Sequence, residues 1–160
     1  MALARRLRQV TEDAGALFVV NDHVDLALLS QADGVHLGAD DLSIGAARRM
    51  AGDNLLIGAS ASTRAAALTA IKSGADYVGC GPAFATPLKP QKVVVGPSGV
   101  AEVAEAVGTT VPVFAIGGID ASNLGQLTAA GVRRACVVRA VGEAPDPEAA
   151  ARELRAMLEA

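Results

Sequence analysis

At 160 residues the chain is long enough for one domain with a substantial core. A hydrophobic fraction of 51% excludes a disordered chain; an aromatic fraction of 2% leaves the core to Val, Leu, Ile and Ala and excludes the aromatic platforms of base-stacking nucleic-acid surfaces. A formal net charge of −3 creates no field to draw a polyanionic partner, so any affinity for phosphate must be local. No apolar run approaches the ~18 residues of a membrane-spanning helix. The first residues, Met1 to Arg8, carry no signal-peptide hydrophobic region ahead of their charges. Cys80 and Cys136 both fall inside predicted strands, which reads as reduced thiols in a cytoplasmic setting and not as a disulfide framework.

In chain order, Leu3, Leu7 and Val10 recur at helical spacing, with Gly15 positioned to close that helix. A strand over Ala16–Val20 follows, then strands over Gly34–Leu37, Leu55–Gly58, Asp76–Cys80, Val111–Ile116 and Ala135–Val138. Helices are predicted between them at 23–30, 43–51, 63–73, 98–107 and 121–130, and after them at 147–159. Asp41, Ser62 and Asp120 are read as caps, and Pro147 as a first-turn proline. Repeated strand-then-helix units imply a parallel sheet with right-handed crossovers. The joint Ala32-Asp33 is echoed by Ala75-Asp76, each linking a helix end to a strand, with a looser third copy at Ala130-Gly131. The connection from Pro82 to Pro97 is long for its kind, a length typical of lids and binding loops. About six βα units fall short of the eight of a closed barrel, which takes about 250 residues. The expected fold is an α/β, TIM-type (β/α) barrel lacking about its first two strands, in one domain over 1–160.

In parallel α/β proteins, loops leaving the C-terminal strand ends converge on one face, and ligands bind there. Several polar residues fall at those positions. Asn21-Asp22 follows the first strand and Asp41 the second. Each aspartate alone reads as a helix cap; as a pair on neighbouring strand ends they suit a hard cation such as Mg²⁺, which takes one or two protein carboxylates and completes its shell with phosphate and water. Ser60 ends the third strand, where it either donates to a phosphate oxygen or opens the turn to Ser62. Lys89, in the long loop, offers a point charge for a pyrophosphate, while Lys92 reads as solvated. Gly117-Gly118 ahead of a helix has the form of a phosphate cradle, where glycine lets backbone N–H groups approach the anion. His23 and His36, the two histidines, read as structural.

These segments together resemble the thiamine phosphate synthase family over essentially the whole chain. The matching motifs are Asn21-Asp22, the run from Asp33 to Asp41, Gly58-Ala59-Ser60, the loop from Gly81 to Lys89, and Gly117-Gly118-Ile119. The resemblance implies a transferase that joins hydroxymethylpyrimidine diphosphate to thiazole phosphate and releases pyrophosphate. It places Mg²⁺ on Asp22 and Asp41, the pyrimidine on Asn21, the pyrophosphate on Ser60 and Lys89, and the thiazole phosphate on Thr86, Gly118 and the Val138-Arg139 pair. Ser60 and Lys89 would carry the catalytic roles. The chain departs from the family pattern at Ala39, where the family has Gln, at Leu88, where it has a second Thr, and at Val138-Arg139, where it has Ile-Ser. Arg139 there either grips phosphate bidentately or narrows the pocket. The family's first strand, first helix and second strand, with a Gln-x-Arg-x-Lys motif, have no counterpart in the sequence. Two alternatives stand beside the synthase: a non-catalytic thiazole-phosphate sensor or carrier, and a thiazole tautomerase, disfavoured by Ser62 where that relative has a histidine. Partners are expected to be small phosphate compounds, with no nucleic acid and no membrane. Unpaired strand edges make a homodimer a fair expectation.

Overall fold

A computed structural model describes residues 1–160. Six parallel strands form one sheet in strict sequence order: β1 (Val19–Asn21), β2 (Gly34–Leu37), β3 (Leu56–Ser60), β4 (Tyr77–Cys80), β5 (Val113–Ile116) and β6 (Ala135–Cys136). The helices are α1 (Ala2–Asp13), α2 (Val24–Leu29), α3 (Ile44–Ala51), α4 (Arg64–Lys72), α5 (Gly96–Val107), α6 (Leu124–Ala129), α7 (Arg139–Gly142) and α8 (Pro147–Glu159). The architecture is a curled, open (β/α) half-barrel of six strands, as expected for a TIM-type barrel short of about two, with β1 and β6 each paired on one side only.

Differences from the predicted elements have local causes. Strand β1 starts three residues late, because the Ala16 N–H is committed to Thr11 O at 2.8 Å, closing α1 instead of joining the ladder. Strand β6 is short, and Val138 instead opens the unpredicted α7, its carbonyl accepting from Gly142 N–H at 2.8 Å. Helix α5 begins at Gly96, since Pro97 suits a first turn. The predicted caps are displaced too. Ser43 caps α3 and Thr63 caps α4 through side-chain bonds to Ala46 and Ala66 N–H, so neither Asp41 nor Ser62 serves. Asp120 accepts from the Ser122 N–H and hydroxyl in a turn that delays α6 to Leu124. Pro147 does sit in the first turn of α8, behind an Asp146 cap.

Strand residues alternate between two faces. Val20, Val35, Leu37, Ile57, Val78, Cys80 and Ala115 are buried beneath the helices. They pack on small helix residues, with Ala27, Ala47 and Ala67 wholly inaccessible, and this is how a core with almost no aromatics closes tightly. The opposite, concave face carries His36, Ser60, Tyr77 and Phe114, aligned by the register Val35↔Ile57, His36↔Gly58↔Tyr77 and Gly79↔Phe114.

The echoed Ala-Asp joints are matching clamps at the N-terminal ends of the strands. Asp33 Oδ2 accepts from Phe18 N–H and from Arg8 Nη1, both at 2.6 Å. Asp76 Oδ2 accepts from Ile57 N–H at 2.7 Å and from Arg48 Nη2 at 2.6 Å. Each carboxylate ties a strand, the strand before it and a helix into one joint.

Candidate active site

The site is built where the strands end. At β1, the Asp22 N–H donates to His36 O at 2.8 Å and the His23 N–H donates back to Asn21 O at 2.8 Å, forming a tight turn about Asp22. Its φ of 67° lies in the left-handed region, which aspartate tolerates better than most residues. His23 occupies the start of α2 without a capping bond, and the Asp22 carboxylate accepts no hydrogen bond and pairs with no cation. At β2, Asp41 Oδ2 accepts from Gly38 N–H at 2.7 Å, turning the carboxylate back over the strand end. Both aspartates are therefore free of the capping role, and each keeps oxygens available.

His36 feels the charge of both carboxylates and of Lys89 in the long loop. Burial holds its imidazole below the ordinary value; Asp22 opposes this, Lys89 adds to it, and Asp41 opposes it. The ring is satisfied on both sides, with Nδ1 3.2 Å from the Tyr77 hydroxyl and Nε2 3.0 Å from Ser60 Oγ. Tyr77 packs edge-on against Phe114 and lies over Gly58, where an added Cβ would fall 2.1 Å from the phenol ring. Gly58 is thus the space the tyrosine occupies. Burial pushes the Tyr77 phenol up to about 12, so it stays protonated.

Beyond Ser60 opens a cavity of about 650 Å³. Ser60, Thr86, Lys89, Gly118, Val138 and Arg139 line it, and so does Lys92, expected from its sequence position to be merely solvated. Asn21, Asp22 and Asp41 lie outside this lining. The floor is a pair of interlocked loops. The Ala83 N–H donates to Ile116 O at 2.8 Å and the Phe84 N–H to Gly117 O at 3.0 Å. A Cβ at Gly118 would stand 2.5 Å from Ala85 O, with φ already at 64°, so only glycine fits this cradle. The Asn123 side chain fixes the same turn by donating to Gly118 O at 2.8 Å. Arg139 reaches toward Glu143 at 4.0 Å, a loose and exposed pair. Sequence reasoning missed Tyr77, whose signal existed only as the chain's one tyrosine; its place beside His36 depends on strand register.

The fold is a half-barrel whose strand-end loops gather cations, hydroxyls and glycine amides into one cavity, with two uncompensated carboxylates at the same end of the sheet. The chain matches the family model for thiamine monophosphate synthase over residues 1–141. It is 52% identical over 145 residues to the thiamine-phosphate synthase of Gloeobacter violaceus, a match covering 91% of this chain and 42% of that protein. It is 46% identical over 157 residues to the thiamine-phosphate synthase of Methanoculleus marisnigri, covering 97% of this chain and 73% of that one. A solved thiamine phosphate pyrophosphorylase from Pyrococcus furiosus superposes with a TM-score of 0.89 at 41% identity, covering 99% of this chain and 75% of that one. The chain belongs to the thiamine monophosphate synthase family, and it spans less than half the length of the Gloeobacter relative.

Proposed function

We propose that this chain forms thiamine phosphate and pyrophosphate from hydroxymethylpyrimidine diphosphate and thiazole phosphate. The observation that carries the reading is the joint presence, around one cavity, of Ser60, Lys89 and the Gly117-Gly118 cradle, with two unpaired aspartates at neighbouring strand ends. Family membership and identities near 50% to proteins named as this synthase support it.

The reaction breaks the bond from the pyrimidine methylene carbon to the diphosphate oxygen, which leaves with the electron pair. The thiazole nitrogen lone pair then forms the new C–N bond. No proton need be removed, which agrees with a site in which no residue stands out as a base. What the site must supply is charge for the departing diphosphate and alignment for the nitrogen. Lys89 and the Ser60 hydroxyl answer the first need. Thr86, the cradle amides and the Val138-Arg139 segment answer the second by holding the thiazole phosphate on the facing wall, while Asn21 orients the pyrimidine. The Asp22 and Asp41 carboxylates fit Mg²⁺, which takes few protein ligands and fills its shell from phosphate and water. When bound there, it would neutralise charge on the diphosphate. Two unpaired cysteines support a reducing, cytoplasmic setting, and the open edges at β1 and β6 support self-association as a homodimer.

The test is product formation by the purified chain with both substrates, with and without Mg²⁺. Metal-dependent thiamine phosphate is expected. A folded chain that releases no pyrophosphate would overturn the synthase reading. If such a chain still binds thiazole phosphate, and Gly118→Ala abolishes that binding, the carrier reading replaces it.

A further inference from the structure

We infer that Tyr77 and His36 form a directed relay that presents the Ser60 hydroxyl as a hydrogen-bond donor to the anion beside Lys89. The direction follows from hydrogen-bond accounting. The half-buried Tyr77 hydroxyl has one partner in the chain, His36 Nδ1 at 3.2 Å. Were Nδ1 protonated, the phenol oxygen would accept and its own hydrogen would find no acceptor within the chain, leaving a half-buried hydroxyl short of a partner. With the phenol donating, Nδ1 is the acceptor and the ring proton sits on Nε2. That N–H then donates to Ser60 Oγ at 3.0 Å, occupying an oxygen lone pair. The Ser60 hydrogen is turned away from the ring, into the cavity that Lys89 also lines. The opposite tautomer would make the imidazole the acceptor of the serine proton, and the site would hold a base-activated hydroxyl instead of an anion donor.

His36 and Tyr77 are on this view positioning residues; neither touches the anion. Neither the relay nor its direction depends on the proposed function, which enters only in naming that anion as the departing diphosphate.

The first test is long-range ¹H–¹⁵N NMR of the intact chain above neutral pH, with His36→Gln used to assign the two histidines. A ring protonated at Nε2 is expected, and a ring protonated at Nδ1 overturns the relay. Tyr77→Phe keeps the ring packed against Phe114 while removing the donor. It is expected to shift the tautomer balance and to weaken inorganic pyrophosphate binding in Mg²⁺ buffer roughly three- to tenfold. In a Ser60→Ala background the same change should alter affinity less than about twofold, because the relay has lost its terminus. Equal losses in both backgrounds would overturn the relay. An Nε2-protonated ring in a chain that binds no pyrophosphate supports the relay and counts against the diphosphate as its target.

Discussion

The two ends of the sheet use aspartate in opposite ways. At the N-terminal strand ends, Asp33 and Asp76 each accept a backbone N–H and an arginine within 2.7 Å, so their charge is spent on joining elements. At the C-terminal strand ends, Asp41 takes one backbone N–H and Asp22 none, and neither meets an arginine or lysine. A compensated carboxylate stabilises the fold; an uncompensated one keeps its oxygens available. The same residue type, in successive units of one repeating architecture, therefore divides between structure and site according to which end of the strand it occupies.

The comparison is most sharply broken at the open end. Asp22→Asn and Asp41→Asn keep the local geometry, because asparagine also tolerates the left-handed turn and can accept from Gly38 N–H. Each is expected to lower the proposed Mg²⁺-dependent turnover by roughly 100-fold, with the thermal midpoint nearly unchanged. Steady-state rates across a Mg²⁺ titration, beside a melting curve, check this, and a parallel loss of stability would erase the distinction between the two ends.

The closed end predicts the reverse. Asp33→Ala should cost about 2 kcal/mol of stability, since it strands the Phe18 N–H and the Arg8 guanidinium, and should leave the rate per folded molecule intact. Its pH dependence has a definite sign. The Phe18 N–H, with help from Arg8, holds Asp33 below its ordinary value of 3.8 in the folded chain, against an opposing desolvation. The stabilisation is therefore complete above 3.8 and disappears as the pH falls through the lowered folded value. Denaturant melts below about pH 5 should fall less steeply for the variant than for the parent chain.

The smallest effect is expected at the cavity rim. Lys92→Ala removes an exposed charge that lines the cavity, and should weaken pyrophosphate binding about two- to threefold at low salt, less as salt rises. Calorimetry at two ionic strengths reads it. A much larger loss would move Lys92 from the rim into direct contact with the ligand and would make Lys89 the lesser cation.

Much of this was legible in the chain itself. Alternating apolar runs and Ala-rich helical stretches fix six βα units, because each period demands one kind of buried face. Strand ends are then locatable, and Asn21-Asp22, Asp41, Ser60 and Gly117-Gly118 fall at them, as the structure bears out. The repeated Ala-Asp joint was visible as an echo, but its meaning was not, since its arginine partners lie 25 and 28 residues away in Arg8 and Arg48. Tertiary structure alone decided which aspartates are compensated, which residues cap, and which groups His36 meets. Those outcomes depend on strand register and loop packing: a one-residue slip would turn His36 into the helix layer and part it from Tyr77 and Ser60. Composition and periodicity determine which residues can be buried, whereas the pairing of polar groups across strands is settled only when the sheet closes on a single register.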